Sequence, residues 1–316
     1  MNLAELKKRT VGNDLLDIIE VLINKNDILS DLEYEAANNG GSHIYNRRAV
    51  NGAGSWRGIN EGVAPTSSQT SLHEESLGIY ENVASFDAHL LNLVNAAQLR
   101  DQEVNNKIED VGDQIADAVF YGTGTDKKPL GLINREEYSS LSSSQVVSAD
   151  GTGSNISSIF VVTNDIRNGL FVAHAPQGAA GIVVDDIGIV SEGTTTKRRV
   201  QDIYVTWNGA VCVSHPLNIA RVANVQTDST SDSYWKSVNL SIIDALAKIK
   251  SPIAGKTVIY VNRDVQAVMD KAAFVQGNMY WTPGAQGFGG QVVATFKGYP
   301  VKVCDAISST EDSVIA

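Results

Sequence analysis

Between Asn92 and Gly122 the chain carries a stripe that leaves little choice of conformation. Val104, Ile108, Val111, Ile115 and then Ala118 or Val119 recur every three or four residues, the spacing that places side chains on one face of an α-helix. Asp101, Glu103, Lys107, Glu109, Asp110, Asp113 and Asp117 take the remaining faces. The pattern predicts a helix that starts as early as Asn92 and stops at Gly122, roughly seven turns in all. Val104, Ile108, Val111 and Ile115 form its core face. A helix of that length is well above the globular mean and serves as a backbone for the fold.

The segments before the helix have little apolar surface of their own. Asn2 with Glu5 forms a capping pattern for one short helix. A second is predicted from Asn13 or Asp14, with Leu15, Leu16, Ile18, Ile19, Leu22 and Ile23 spread too widely for one stripe. Residues 1–35 therefore read as a helical arm that packs on something else. From Ala36 to Tyr80, Gly40-Gly41, Gly54, Gly58 and Gly62 punctuate short strand-like runs, and Asn51-Gly52 is a two-residue hairpin signal. The polar stretch Asn60 to Ser71 has no apolar residue larger than Val63. This is an extended hairpin, and a projection of that length is usually a binding loop or an interaction arm.

After Gly122 strands and helices interleave without a regular βαβ series, so the class is α+β. Ile159–Val162, Ile182–Val184, Ile203–Trp207, Ala210–Val213 and Val258–Val261 read as strands. Asn208-Gly209 is expected to join two of them as a tight hairpin. Helices are expected from Val238 to Ile249 and from Asp264 to Phe274, and strands again from Gln291 to Phe296 and Val301 to Cys304.

Chemistry-bearing motifs fail on inspection. Gly255-Lys256-Thr257 ends like a phosphate loop, but Lys250 stands where its first glycine belongs and a strand follows instead of a helix. Gly284, Gly287, Gly289 and Gly290 are in the wrong order for a dinucleotide fingerprint. The histidines His43, His73, His89, His174 and His215 lie too far apart for a metal-binding helix. No nucleophile elbow occurs. No catalytic, cofactor-binding or metal residue is assigned, and no enzyme activity or cofactor is expected.

Two cysteines, Cys212 and Cys304, make no disulfide framework. Met1 to Glu20 does not read as a secretory signal, and no run is long and apolar enough for a membrane helix. The net charge of −11 argues against nucleic-acid binding as the main task. The densest basic cluster, Lys197-Arg198-Arg199, reads as a solvated loop or a subunit contact.

The order of parts resembles the Hong Kong 97-type capsid fold of tailed bacteriophages. Phe120-Tyr121-Gly122-Thr123-Gly124-Thr125 with Pro129-Leu130-Gly131-Leu132 resembles the turn after that fold's spine helix. Gly298-Tyr299-Pro300-Val301-Lys302-Val303 resembles its late strand. Leu3 to Arg9, Trp56-Arg57 and Asn60-Glu61-Gly62-Val63-Ala64-Pro65 resemble one branch of phage major capsid proteins. The resemblance implies an N-arm at 1–35 and an E-loop hairpin with its return strand at 36–90. It implies a P-domain with the spine helix at 91–158, an A-domain at about 159–290, and a return strand and C-terminus at 291–316.

It also implies a self-assembling structural subunit of an icosahedral shell around the phage DNA, found in the virion and assembled in the host bacterial cytoplasm. Its partners would be itself in pentamers and hexamers, a separate scaffolding protein, a portal protein and packaged DNA without sequence-specific contacts, with no membrane. Arg47, Arg48, Trp56 and Arg57 are the candidate inter-subunit contacts. Some such shells cross-link a hairpin lysine to a neighbour's asparagine, whereas here no lysine lies between Lys25 and Lys107. An encapsulin-like compartment with a protein cargo is the alternative on the same fold. An enzyme with an unrecognised site and a tail-tube protein are the alternatives outside it.

Overall fold

The computed structural model describes residues 26–50, 52–90, 95–125, 127–178, 180–194, 196–276, 281–286 and 292–315. The two short helices expected before residue 26 lie outside the described residues.

The long helix, α2 (Ala96–Tyr121), follows a short α1 (Asp27–Asp31). Its buried side chains include Ile108, Val111, Ile115 and Val119, joined by Gly112, Ala116, Ala118 and Phe120. Val104, nearer the start, is partly buried against the same core. The contact stripe widens toward the C-terminus because two sheets close over that end.

The first sheet is built from β1 (Glu33–Ala36), β4 (Gly78–Asp87), β7 (Leu170–His174), β8 (Ile182–Glu192) and β9 (Arg198–Val213). Its order is β1-β7-β9-β4, with β8 also paired to β9. Asn208-Gly209 therefore turns no corner, contrary to the expected hairpin: β9 is one strand of 16 residues running straight through them. Its neighbours explain why, since Gly209 pairs with Gly78 on one side and with His174 on the other. A Cβ on Gly209 would sit 2.5 Å from the Trp207 ring and 3.1 Å from the Ala173 carbonyl. The glycine serves close packing, not a turn.

The second sheet has the order β12-β13-β14-β11-β6-β10-β5. Its strands are β5 (Val146–Ser148), β6 (Ile156–Thr163), β10 (Ile219–Gln226), β11 (Thr257–Val261), β12 (Trp281–Gln286), β13 (Val292–Phe296) and β14 (Tyr299–Val303). The central β6 is buried throughout and divides two cores by alternation. Phe160 and Val162 join the core that holds α2. Ile159 and Val161 join the core under α3 (Asp232–Lys248), with Trp235, Val238 and Ile242. Helix α3 starts six residues earlier than its apolar pattern suggests, because the Ser231 side chain caps it by accepting from the Tyr234 amide. A further helix, α4 (Arg263–Gln276), follows β11.

The turn after α2 explains its glycines. The chain folds back so that Gly131, Leu132 and Ile133 donate to the carbonyls of Gly122, Val119 and Phe120, while Asn134 Nδ2 donates to those of Tyr121 and Gly122. These groups satisfy the orphan carbonyls of the helix end. A Cβ on Gly122 would lie 2.1 Å from the Pro129 carbonyl oxygen, and one on Gly131 2.5 Å from the Gly122 nitrogen. Only hydrogen fits at either position.

Candidate inter-subunit surface

The hairpin consists of β2 (Ser42–Val50) and β3 (Gln69–Ser76), antiparallel and pairing as far as Val50 with Gln69. Asn51-Gly52 does not close it, contrary to the two-residue signal. The strands are joined instead by the stretch 51–68, because the polar residues after Gly52 offer no apolar face to hold a ladder together.

The base of the hairpin is bolted to the body. Arg135, almost fully buried, donates through Nη1 to Glu75 Oε1 at 2.7 Å and through Nη2 to the carbonyls of Leu130 and Val211 at 3.0 and 2.7 Å. Arg47 donates through Nε to the Val213 carbonyl at 2.8 Å and through Nη1 to Glu137 Oε1 at 3.0 Å. The Tyr45 hydroxyl donates to Glu75 and accepts from the Val213 amide. Burial first, and then the Glu75 carboxylate, push that phenol up to about 12. Tyr45 and Leu77 also pack against a small core of Phe171, Ala173, Ala210 and Cys212. Arg47 is thus engaged inside its own chain. None of these partners was visible as a motif, because 60 residues separate Glu75 from Arg135 and 166 separate Arg47 from Val213.

Two histidines sit at this base. His43 lies edge-on to Phe171, and His73 stacks on Tyr45 beside Ser71. Burial lowers both below the ordinary imidazole value; Glu35 opposes this at His43, while at His73 Arg47 adds to it and Glu137 and Glu75 oppose it. Folding therefore excludes protons from both rings, and their contribution to stability, present above the unfolded pKa of about 6.5, is lost as the pH falls from there through the folded values. The urea midpoint of the subunit should be lower at about pH 5.5 than at about pH 7.5. The His43→Gln, His73→Gln double variant should reduce that dependence, the rest coming from His174 and His215, which burial also lowers; a midpoint that rises on acidification contradicts the assignment.

The tip is different in kind. Every residue from 52 to 70 is exposed. Trp56 is 103% and Ile59 96% exposed. Arg57 Nη1 donates to the Glu61 carbonyl at 3.0 Å, and the Gly58 amide donates to Glu61 Oε2 at 2.8 Å. These bonds fold 57–61 into a local turn and leave Trp56 and Ile59 without cover. The side chain of Arg48 lies outside the described residues. Leu72, Ile79 and Val83 extend the exposed apolar surface from β3 onto β4. Of the basic cluster, Arg198 pairs with Glu192 across the β8–β9 strands, both exposed.

Elsewhere the charged residues tie the chain ends to the body. Lys256, from the rejected phosphate-loop motif, bonds Glu33 and Asp165. Lys302 and the Tyr260 hydroxyl both hold Asp31. Among the described residues no cluster of His, Cys, Asp and Glu could hold a metal ion.

A long helix crossed by two sheets, with a projecting hairpin anchored at its base and bare at its tip, defines a shell-building subunit of the Hong Kong 97 type. The profile of the family described as Major capsid protein GP7 matches residues 11–315, and the chain belongs to that family. It forms the capsid shell of a phage, is a structural component of the virion and is not an enzyme. A chain of the bacteriophage Epsilon15 structure is 27% identical, with a TM-score of 0.65 over 92% of this chain and 90% of its own. A chain of the bacteriophage JBD30 capsid shares the fold at 10% identity, with a TM-score of 0.53 over 87% of this chain and 88% of its own. No curated protein sequence matches.

Proposed function

We propose that the chain builds an icosahedral shell of pentamers and hexamers around the phage DNA, with the hairpin as the arm that reaches a neighbour. The exposed tip supports this reading, because a bare indole and a bare isoleucine on an anchored projection have no use within one subunit. Trp56 and Arg57 are the contact residues of that arm. Arg47 serves its anchorage, consistent with its bonds to Val213 and Glu137.

The division of labour is an arm at 1–35, the E-loop at 36–90, the spine-helix domain at 91–158, an A-domain over about 159–290 and a return strand at 291–316. A scaffolding protein and a portal complete the assembly. Contact with DNA is without sequence preference, in keeping with a net charge of −11. Electron micrographs of the protein expressed with its scaffold should show closed shells that hold DNA once packaged. Tubes, small oligomers or a folded enzyme cargo would each contradict the reading.

The shell is held by non-covalent contacts. No lysine lies between Lys25 and Lys107, so the hairpin has no amine to attack a neighbour's asparagine. Arginine cannot replace it, because the guanidinium stays protonated. Mature particles boiled in detergent and reductant should run as a single band near 33.8 kDa. A ladder of multimers would refute non-covalent closure.

A further inference from the structure

An asparagine followed by glycine is a chemically labile pair, because no Cβ screens the next backbone nitrogen from the side-chain amide. The chain holds four such pairs, at Asn39, Asn51, Asn168 and Asn208. Asn51 lies outside the described residues, and the fold treats the other three differently. Gly209 is buried in a ladder between Gly78 and His174. Gly169 is buried too, and its amide donates to Ser214 Oγ at 3.0 Å. Gly40 is exposed, and its amide has no hydrogen-bond partner among the described residues. Nothing lies within 4 Å of the place its Cβ would take. It sits at φ 49° in a two-residue turn closed by the bridge between Asn39 and Ser42.

We propose that Asn39 is a site of spontaneous deamidation, a slow covalent change at the joint between the body and the hairpin. The Gly40 nitrogen loses its proton to solvent base and attacks the Asn39 side-chain carbonyl carbon. The Cγ–Nδ2 bond breaks, the leaving nitrogen takes up a proton and departs as ammonia, and a cyclic imide remains. Water then opens the imide at either carbonyl, to aspartate or to isoaspartate, with no oxidant or cofactor. The joint is tied to its surroundings on both sides: the Ala37 amide donates to the His174 carbonyl, and the Leu77 amide to the Gly41 carbonyl at 3.0 Å. The product suits the place badly. Asn39 Nδ2 donates to Ser42 Oγ at 2.9 Å and lies 3.5 Å from Glu74 Oε1. The Ser42 hydroxyl itself donates to Glu74 at 2.5 Å. An acid at position 39 brings Ser42 no donor and sets like charges side by side. Isoaspartate also lengthens the backbone through the bridge.

The test holds the full-length subunit at mildly alkaline pH, digests it with trypsin and sequences the peptides by tandem mass spectrometry. Cleavage after Lys25, Arg47 and Arg48 puts Asn39 and Asn51 in different peptides. Asn39 should gain the mass of OH for NH2, as aspartyl and isoaspartyl products, at a rate that rises with pH. Asn168 and Asn208 should convert more than about tenfold more slowly, since their buried backbone must open locally first. In guanidinium the three rates should converge, because each is then an unfolded asparagine–glycine pair. Conversion of Asn39 no faster than that of Asn208 in the folded subunit would overturn the site. The Asn39→Asp variant reads the consequence. The amides of Ser42 and Leu77, which bond the carbonyls of Asn39 and Gly41, should exchange hydrogen faster than in the parent. Unchanged exchange at both would overturn the loosening of the joint.

Discussion

Replacing Glu311 by alanine is expected to destabilise the subunit by about 3–5 kcal/mol, a large part of a typical margin of about 5–15. Arg221 is 1% exposed, on β10 between the two cores, and Glu311 reaches it from the C-terminal segment, also almost fully buried. The guanidinium donates to Glu311 Oε2 at 2.9 Å, to the Ser158 hydroxyl at 2.9 Å and to the Tyr138 carbonyl at 3.0 Å. Glu311 also accepts from the hydroxyls of Tyr121 and Ser158, each at 2.5 Å. Burial lowers the pKa of Arg221 while Glu311 opposes that fall. Arginine nevertheless stays charged, so loss of the carboxylate strands a buried cation and two hydroxyl donors. The Arg221→Met, Glu311→Met double variant should be less damaged than Glu311→Ala, because apolar groups of similar volume leave no charge behind. Urea denaturation measures both. A Glu311→Ala midpoint equal to that of the parent would refute the account. The Arg263–Asp305 pair is a control, since both side chains are exposed and its removal should leave the midpoint where it was.

That ion pair joins residues 90 positions apart, which is why nothing in the sequence announced it. The long helix was legible for the opposite reason. Its stripe is a local property, repeated every turn, and Gly122 closes it where the chain must pack against Pro129. The two Asn-Gly pairs misled because a turn dipeptide states what the backbone can do, not what its neighbours require. At Asn208-Gly209 two strands, β4 and β7, hold β9 straight, and at Asn51-Gly52 no apolar ladder exists to close.

The placement of the candidate contact residues was only partly legible. Trp56 and Arg57 were singled out through the resemblance to phage capsid proteins, and the fold puts both on the exposed tip. Arg47 looked the same in sequence. Only the fold brings it beside Glu137 and the Val213 carbonyl and gives it a structural task.

Ile115→Asp on α2 is expected to abolish soluble subunits rather than misshape shells. Ile115 is 2% exposed in the core that holds Val111, Val119 and Phe120 on the same helix. Removing its branched side chain alone costs about 2–5 kcal/mol, as for other large core residues. The carboxylate that replaces it lies among apolar side chains and adds several kcal/mol more, or takes up a proton and remains a buried polar group. Together these approach or exceed a typical stability margin. Ile108→Asp should behave alike, since Ile108 is equally buried two turns earlier. The contrast is Leu99→Asp, on the first turn of α2, where the side chain is 62% exposed and a carboxylate stays in water. Expression at equal induction, followed by separation of soluble from pelleted protein, decides the matter. Leu99→Asp should remain in the soluble fraction with the parent while both isoleucine variants pellet. Normal particles from Ile115→Asp would show that this face of the helix does not hold the subunit together.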